Sequence, residues 1–501
     1  MAKKQLVVFV HGWSVTNLDT YGGLPARLVA EAKANGFEIT VKDVFLGKYV
    51  SFRDEVKLPD IAYAFQKAYE RDLAPLVKKH GRFAAITHST GGPVMRDWAD
   101  RFHRGKGAEC PMSHLIMLAP ANFGSALAQL GKSRLSRLKT WFQGVEPGMG
   151  VLEWLEMGSR DAWELNSRWA RDESIPQGPA GVFQFVLTGQ SIDRKLYDNL
   201  NTYTGELGSD GVVRVTGANL NTAFVRLVQK QPGPDATAKE RFALEFEGPV
   251  ARSPRTALLV VPGKSHSGSD MGILRSVKAN PASRGADKDL PTVQGILDAL
   301  RVQTAAQYTA TCDEFDKRTK ATQEAEKIEI EDGILMDREF VHDRRSMVVW
   351  RVRDESGAVL SDYDLVFTTS PDANPNLFPE GFATDRQRNQ RDPGTITYFF
   401  NYDVVEGAPE VKHDGERLRR ASAGLKDFGV QLTARPQSGF VHYLPAEHLP
   451  SKALADALFR PNETTMIEIV LRRNVHEGVF RLVPGTDSNG RFDKDPAGPI
   501  A

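Results

Sequence analysis

Residues 83–93, F-A-A-I-T-H-S-T-G-G-P, constrain the fold of this 501-residue chain more than any other segment. Four apolar residues, Phe83, Ala84, Ala85 and Ile86, stop abruptly at Thr87-His88-Ser89-Thr90-Gly91-Gly92, and a helix-compatible stretch runs from Val94 to about His103. Strand, sharp turn and helix with Ser89 at the apex is the setting in which a strained backbone lifts a hydroxyl above a sheet and a helix N-terminus faces it. Strand and helix approach closely at such an elbow, so its flanking residues must be small. Gly91 and Gly92 meet that need, whereas Thr87 departs from the first glycine of G-x-S-x-G. The bland alternative is a Ser/Thr/Gly turn that merely caps a helix.

Up to about residue 302 the pattern alternates strand and helix. The continuous apolar run at 6–10, L-V-V-F-V, is expected of a strand buried on both faces, and it ends at His11-Gly12-Trp13. A helix is predicted over 22–34, a strand over 37–45, and a long helix over 58–79 with Ile61, Ala64, Phe65, Ala68 and Leu73 on one face. Further apolar strands are predicted at 115–119, 182–187 and 257–261. Strands separated by helices argue for parallel βαβ units with both sheet faces covered. The only long interruption is 123–172.

Composition narrows the classes of function. Lys and Arg (64) balance Asp and Glu (64), so no global field draws the chain to nucleic acid or anionic lipid. Cys110 and Cys312 lie far apart and form no C-x-x-C, the pattern of idle thiols or a reducing compartment, with one disulfide between them as the alternative. Met1-Ala-Lys-Lys-Gln runs straight into the first strand without the apolar core of a signal peptide, and no apolar run approaches the roughly 20 residues that span a bilayer. The expectation is a soluble protein, cytoplasmic as synthesised, with any export by a route lacking this signal.

Acyl transfer by a serine needs a base, a carboxylate to hold the base, and donors for the oxyanion. In an open α/β sheet these belong on loops at the carboxyl ends of strands. The backbone N–H groups of Trp13, after the first strand, and Thr90, after the serine, are the expected oxyanion donors, while His11 is read as a loop brace. The base is expected to be His266, in Gly263-Lys264-Ser265-His266-Ser267-Gly268 just past a buried strand, with Asp270 and residues 271–274 opening a helix. His88 is set aside because consecutive side chains at a sharp elbow should point apart. Asp193, Asp198 and Asp210 all qualify by order as the acid. Asp210, in the glycine-flanked G-S-D-G-V-V turn expected to open into a strand, has the best local context, although a simple Asx turn explains it as well.

These pieces together resemble the α/β-hydrolase superfamily, specifically its bacterial lipase and GPI inositol-deacylase-like branch. The matching motifs are V-F-V-H-G-W at 8–13, T-H-S-T-G-G at 87–92, L-A-P-A-N-F-G-S at 118–125, S-D-G-V-V at 209–213 and the loop around His266. The resemblance implies an α/β fold with a mostly parallel sheet, Ser89 as nucleophile, Asp210 as acid, His266 as base, and hydrolysis of carboxylic esters. Members include lipases, phospholipases and antibacterial lipid-degrading effectors. Several relatives bind calcium, but no acidic cluster here has ligand spacing, so no metal and no cofactor are expected.

The insertion at 123–172 reads as a helical cap, with Trp141, Phe142, Trp154 and Leu155 on either side of a Pro/Gly hinge at 144–150. Such a cap either offers an acyl chain an apolar pocket or buries its own aromatics as core. The catalytic domain is expected to span 1–302, a charged helical connector 303–325, a β-rich, sandwich-like accessory domain 326–485 and a flexible tail 486–501. The accessory domain would serve a lipid surface, substrate or protein partner. A lipase or phospholipase-like hydrolase is therefore the expected function, with a soluble-ester carboxylesterase or a degenerate hydrolase fold acting as a binding module as alternatives.

Overall fold

The computed structural model describes residues 4–11, 21–48, 50, 53–106, 109–130, 148–192, 207–231, 242–281, 287–331 and 338–476. Its first half builds strands β1 (Gln5–His11), β2 (Ile39–Phe45), β3 (Phe83–His88), β4 (Met112–Leu118) and β5 (Phe183–Thr188). The chain then leaves for β6 (Thr222–Gln229), β7 (Leu244–Phe246) and β8 (Ala251–Arg252), and returns as β9 (Ala257–Val260). Six of these strands form one sheet in the order β2-β1-β3-β4-β5-β9, with every pair parallel.

The apolar runs are continuous because both faces of this sheet are covered. In β1, Leu6, Val8 and Val10 point into one core with Phe65, Met95 and Trp98. Val7 and Phe9 point into the other, with Leu24, Leu28, Val293, Ile296 and Phe315. Helices α1 (Leu24–Ala34), α2 (Leu58–Ala68), α3 (Ala74–His80) and α4 (Gly91–His103) supply much of that cover. The single helix expected over 58–79 is interrupted by a π-turn at Tyr69–Leu73. Pro75, which has no N–H and crowds the carbonyl four residues back, explains why the α-helical ladder widens there.

The charged segment after residue 302 is more than a spacer. It forms the helix Ala305–Ala325, which buries Tyr308, Cys312 and Phe315 against the sheet and lies along β9, the last strand. Its side chains satisfy the strand's free edge: Ala257 N–H donates to the Tyr308 hydroxyl (3.1 Å), and Val260 N–H donates to Thr319 Oγ1 (2.9 Å). Thr319 in turn donates to Leu258 O (3.1 Å). An edge so occupied cannot pair with another chain.

The β-rich region beyond contains several sheets, and its largest is not purely antiparallel. The strand Thr464–Leu471 pairs parallel with Arg345–Asp354 on one side and with β6 on the other. Strands β6, β7 and β8 therefore belong to a seven-stranded sheet with Arg345–Asp354, Thr395–Asn401, Ala383–Arg388 and Thr464–Leu471. Both lobes share this sheet, because β6 comes from a sequence position before β9. A satellite core seals the junction: Phe123, Met157 and Trp163 pack on Met347, Val349, Phe399 and Met466. Cys110 and Cys312 are both buried free thiols, and no helix among the described residues is long and apolar enough to cross a membrane.

Ending the chain after Ala325 would strip β6 of its neighbour and expose Phe123, Met157 and Trp163. Each such side chain contributes roughly 1.5–3 kcal/mol when fully buried, against a total folding margin of about 5–15 kcal/mol. The truncated chain is expected to aggregate or to melt more than about 10 °C lower, read by gel filtration and thermal unfolding. A soluble monomer with the melting point of the full chain would show that the lobes are independent.

Candidate active site

The elbow lies where β3 meets α4. Ser89 sits between them with φ of +52°, in the left-handed region that costs a residue with a side chain about 1–2 kcal/mol. Three backbone bonds hold it there: Ser89 N–H to Leu118 O (3.1 Å), and Ser89 O accepting from Gly92 N–H (3.2 Å) and Ala121 N–H (3.3 Å). Close packing dictates the glycines. A Cβ on Gly92 would come within 2.8 Å of Pro120 Cβ, and one on Gly91 within 3.2 Å of Thr87 Cβ. The space left by Gly91 is what admits Thr87 where the usual motif has glycine.

The second half of the site comes from two loops far apart in sequence. Beyond β9, the carbonyl of Lys264 packs so closely on Gly189 that no side chain fits at that position. Residues 271–274, expected to start a helix, form a turn instead: Ser265 N–H donates to Met271 O (3.0 Å) and Ile273 N–H to Ser265 O (2.9 Å). The loop thus folds back on itself and presents His266 inward, fully buried. Its Nε2 lies 3.1 Å from Ser89 Oγ and its Nδ1 2.9 Å from Asp210 Oδ2.

Asp210 is also fully buried, so each carboxylate oxygen needs partners. Oδ1 accepts from the N–H groups of Val212 (3.0 Å) and Val213 (2.7 Å), and Oδ2 faces His266. The Asx turn and the contact with the histidine, alternatives in the sequence, coexist on different oxygens of one side chain. The strand expected directly after Asp210 is not there. A tight turn bridges Ser209 to Arg214, a short helix Val215–Ala218 follows, and β6 starts only at Thr222.

The L-A-P-A-N-F-G-S segment docks this acid turn. Ser125 Oγ donates to Val212 O (2.6 Å), Asn122 Nδ2 to Ala218 O (2.7 Å) and Phe123 N–H to Gly217 O (3.0 Å). The other lobe holds the turn as well: Arg214 stacks 3.4 Å over the Phe399 ring and pairs with Asp385 (2.9 Å), and Thr464 Oγ1 donates to Thr216 O (2.9 Å). Sequence reasoning missed these partners, since nothing local marks a residue that meets another some 170 positions away. It also set aside His88, whose ring packs 4.7 Å from that of His266 and whose Nε2 lies 3.0 Å from His266 O. Loss of hydration, and then the proximity of His266, hold the His88 pKa well below the ordinary histidine value. Strand alternation gave a signal for it, because His88 falls in phase with Ala84 and Ile86 rather than with Phe83 and Ala85.

The remaining expected site residues divide into two groups. Thr90 is the N-cap of α4, directly after Ser89. Trp154 and Leu155, on the helix Met149–Leu155, are buried in the main core beside Val151 and Leu152. Trp13, Trp141, Phe142, Asp193 and Asp198 lie outside the described residues. Among the described residues no group of three or more His, Cys, Asp or Glu is arranged to hold a metal ion.

No protein-family model matches the chain, and no curated protein matches it. Among solved structures, phospholipase PlaB from Legionella pneumophila is 39% identical, covering 99% of this chain and 99% of its own, with a TM-score of 0.83. The same phospholipase in complex with thio-NAD is 39% identical over 97% of this chain and 98% of its own, with a TM-score of 0.81.

The loop carrying His266 is braced by a buried ion pair, in which Lys264 Nζ donates to Asp289 Oδ1 (2.9 Å) and Ser276 Oγ (2.8 Å). Lys264→Ala leaves Asp289 without its cation and should cost about 3–5 kcal/mol, lowering both melting point and turnover. The double variant Lys264→Met/Asp289→Leu should recover much of the stability, as a thermal-melt double-mutant cycle would read. Additive losses would show that the pair is not coupled.

Proposed function

This chain belongs to the phospholipase PlaB family of α/β-hydrolases and is a carboxylic ester hydrolase, and we propose that it cleaves the acyl esters of phospholipids through an acyl-enzyme on Ser89. The contact chain Ser89–His266–Asp210, with Ser89 on a left-handed elbow, is the observation that carries this reading. Identity of 39% with a phospholipase over nearly its whole length supports the lipid substrate.

In this reading His266 Nδ1–H donates to Asp210 Oδ2, which leaves Nε2 free to accept the Ser89 proton. Ser89 Oγ attacks the ester carbonyl, and negative charge moves to the carbonyl oxygen. The Thr90 N–H at the head of α4, with the Trp13 N–H, stabilises that oxyanion. His266 then gives its proton to the departing alkoxide, and the lysophospholipid or glycerophosphodiester product leaves. Water, deprotonated by the same nitrogen, hydrolyses the acyl-enzyme and restores Ser89. Asp210 stays ionised throughout. Its buried charge stabilises the imidazolium, and its second oxygen, tied to the Val212 and Val213 amides, fixes the angle of the carboxylate.

Ser89→Ala should fold normally and lose roughly 10⁴- to 10⁶-fold in kcat on vesicles of phosphatidylcholine or phosphatidylglycerol, measured as fatty acid released. Asp210→Asn should lose about 10⁴-fold by stabilising the wrong tautomer of His266. A Ser89→Ala protein that keeps most of its activity would mean the nucleophile is elsewhere. Turnover of short soluble esters with none on vesicles would favour a carboxylesterase. Trp141 and Phe142 are expected to contact the acyl chain, so replacing both by serine should reduce long-chain turnover more than acetate turnover. Trp154→Ala should reduce both equally, with a loss of about 3–5 kcal/mol in stability.

A further inference from the structure

We propose that His88 is a positioning residue for His266, holding the backbone of the base through a hydrogen bond while presenting an uncharged ring to its imidazole. The inference rests on the reading of His266 as the base. Orienting His266 needs more than its ring partners. The bonds from Nδ1 to Asp210 and from Nε2 to Ser89 define the ring plane, but they share a geometry only if the backbone beneath is fixed. That backbone is gripped at both polar atoms: His266 N–H donates to Asp210 O (2.8 Å), and His266 O is approached by His88 Nε2 (3.0 Å). The loop itself is Gly-Lys-Ser-His-Ser-Gly and brings no apolar side chain to anchor it.

A carbonyl oxygen can only accept, so Nε2 of His88 carries a proton. Buried and packed against the His266 ring, this donor favours the neutral imidazole, because burial disfavours a charge there. An arginine or lysine would donate equally well, but it would set a fixed positive charge beside a ring that must itself become cationic on taking the Ser89 proton. With the two ring centroids 4.7 Å apart at 44°, His88 instead offers a flat, polarisable face. The low pKa of His88, set by lost hydration and by His266, agrees with that neutral role. The position is available because β3 ends at His88, so its side chain leaves the sheet at the same rim on which the His266 loop lands.

The test separates donor from bulk. His88→Phe keeps a ring and removes the donor; His88→Gln keeps an N–H at similar reach and removes the ring. Expected for His88→Phe is a fall in kcat of about 10- to 100-fold with KM changed less than about twofold, since small misplacement of a catalytic group costs about that much. The rate at which a fluorophosphonate labels Ser89 should fall by the same factor, and His88→Gln should regain most of both. If His88→Phe does not fold, His88→Leu against His88→Gln makes the same comparison. Wild-type kcat in the variant lacking the donor overturns the proposal. So does a Gln variant no better than Leu or Phe, or a loss that follows melting temperature alone. Labelling of His266→Ala, run in parallel, tests the premise separately: an undiminished rate there would remove His266 as base and with it the role of His88.

Discussion

A carboxylate with no access to water is stable only when the protein replaces its hydration shell, and Asp210 shows how completely that shapes its surroundings. One oxygen closes its own turn on two amides, the other meets His266, and its main-chain carbonyl takes the His266 N–H. The turn must then be rigid, because any slippage of the two amides would unpair a buried charge. Ser125, Asn122 and Phe123 grip it from the core of the parallel sheet, and Phe399, Asp385 and Thr464 hold its Arg214 and Thr216 from the neighbouring lobe. The site is thus held from two sheets at once.

That dependence gives the second lobe a structural part in holding the site. By sending β6–β8 into the seven-stranded sheet before returning as β9, the chain threads its acid turn across the junction between lobes. Arg214 on Phe399 and the Thr464–Thr216 bond tie that sheet to the turn carrying Asp210. The Phe123, Met157 and Trp163 cluster shares the same junction, so the segment after β4 serves both as clamp on the turn and as seal between sheets.

At Ser89 the governing constraint is steric. Left-handed backbone at Ser89 persists because Leu118, Gly92 and Ala121 all bond to it, and because glycine at 91 and 92 lets β4 and the elbow approach. Strain and packing are two sides of one arrangement: neither the turn nor the close approach exists without the other. Neighbours at such a turn are expected to point apart, yet His88 and Ser89 both end at His266, one at its carbonyl and one at its ring.

Much of this was written locally in the chain. Period-two and period-3.6 patterns mark strands and helices, the T-H-S-T-G-G turn marks an elbow, and small residues around His266 mark a loop that can approach it closely. Those signals are short-range because backbone conformation and burial of a face are decided over a few residues. Nothing local to residues 222–229 says which strand they join, so the crossing of β6 into the later sheet had no sequence mark. Pro75 and the turn at 271–274 altered helices whose apolar spacing looked regular, as a missing donor and a loop hydrogen bond outweighed it. The chain by itself determined that a serine elbow, a late histidine and a parallel sheet would be present. Only the tertiary structure decided that Asp210 meets that histidine, that His88 supports it and that a second sheet holds the turn, because such contacts arise from packing between segments that no local rule relates.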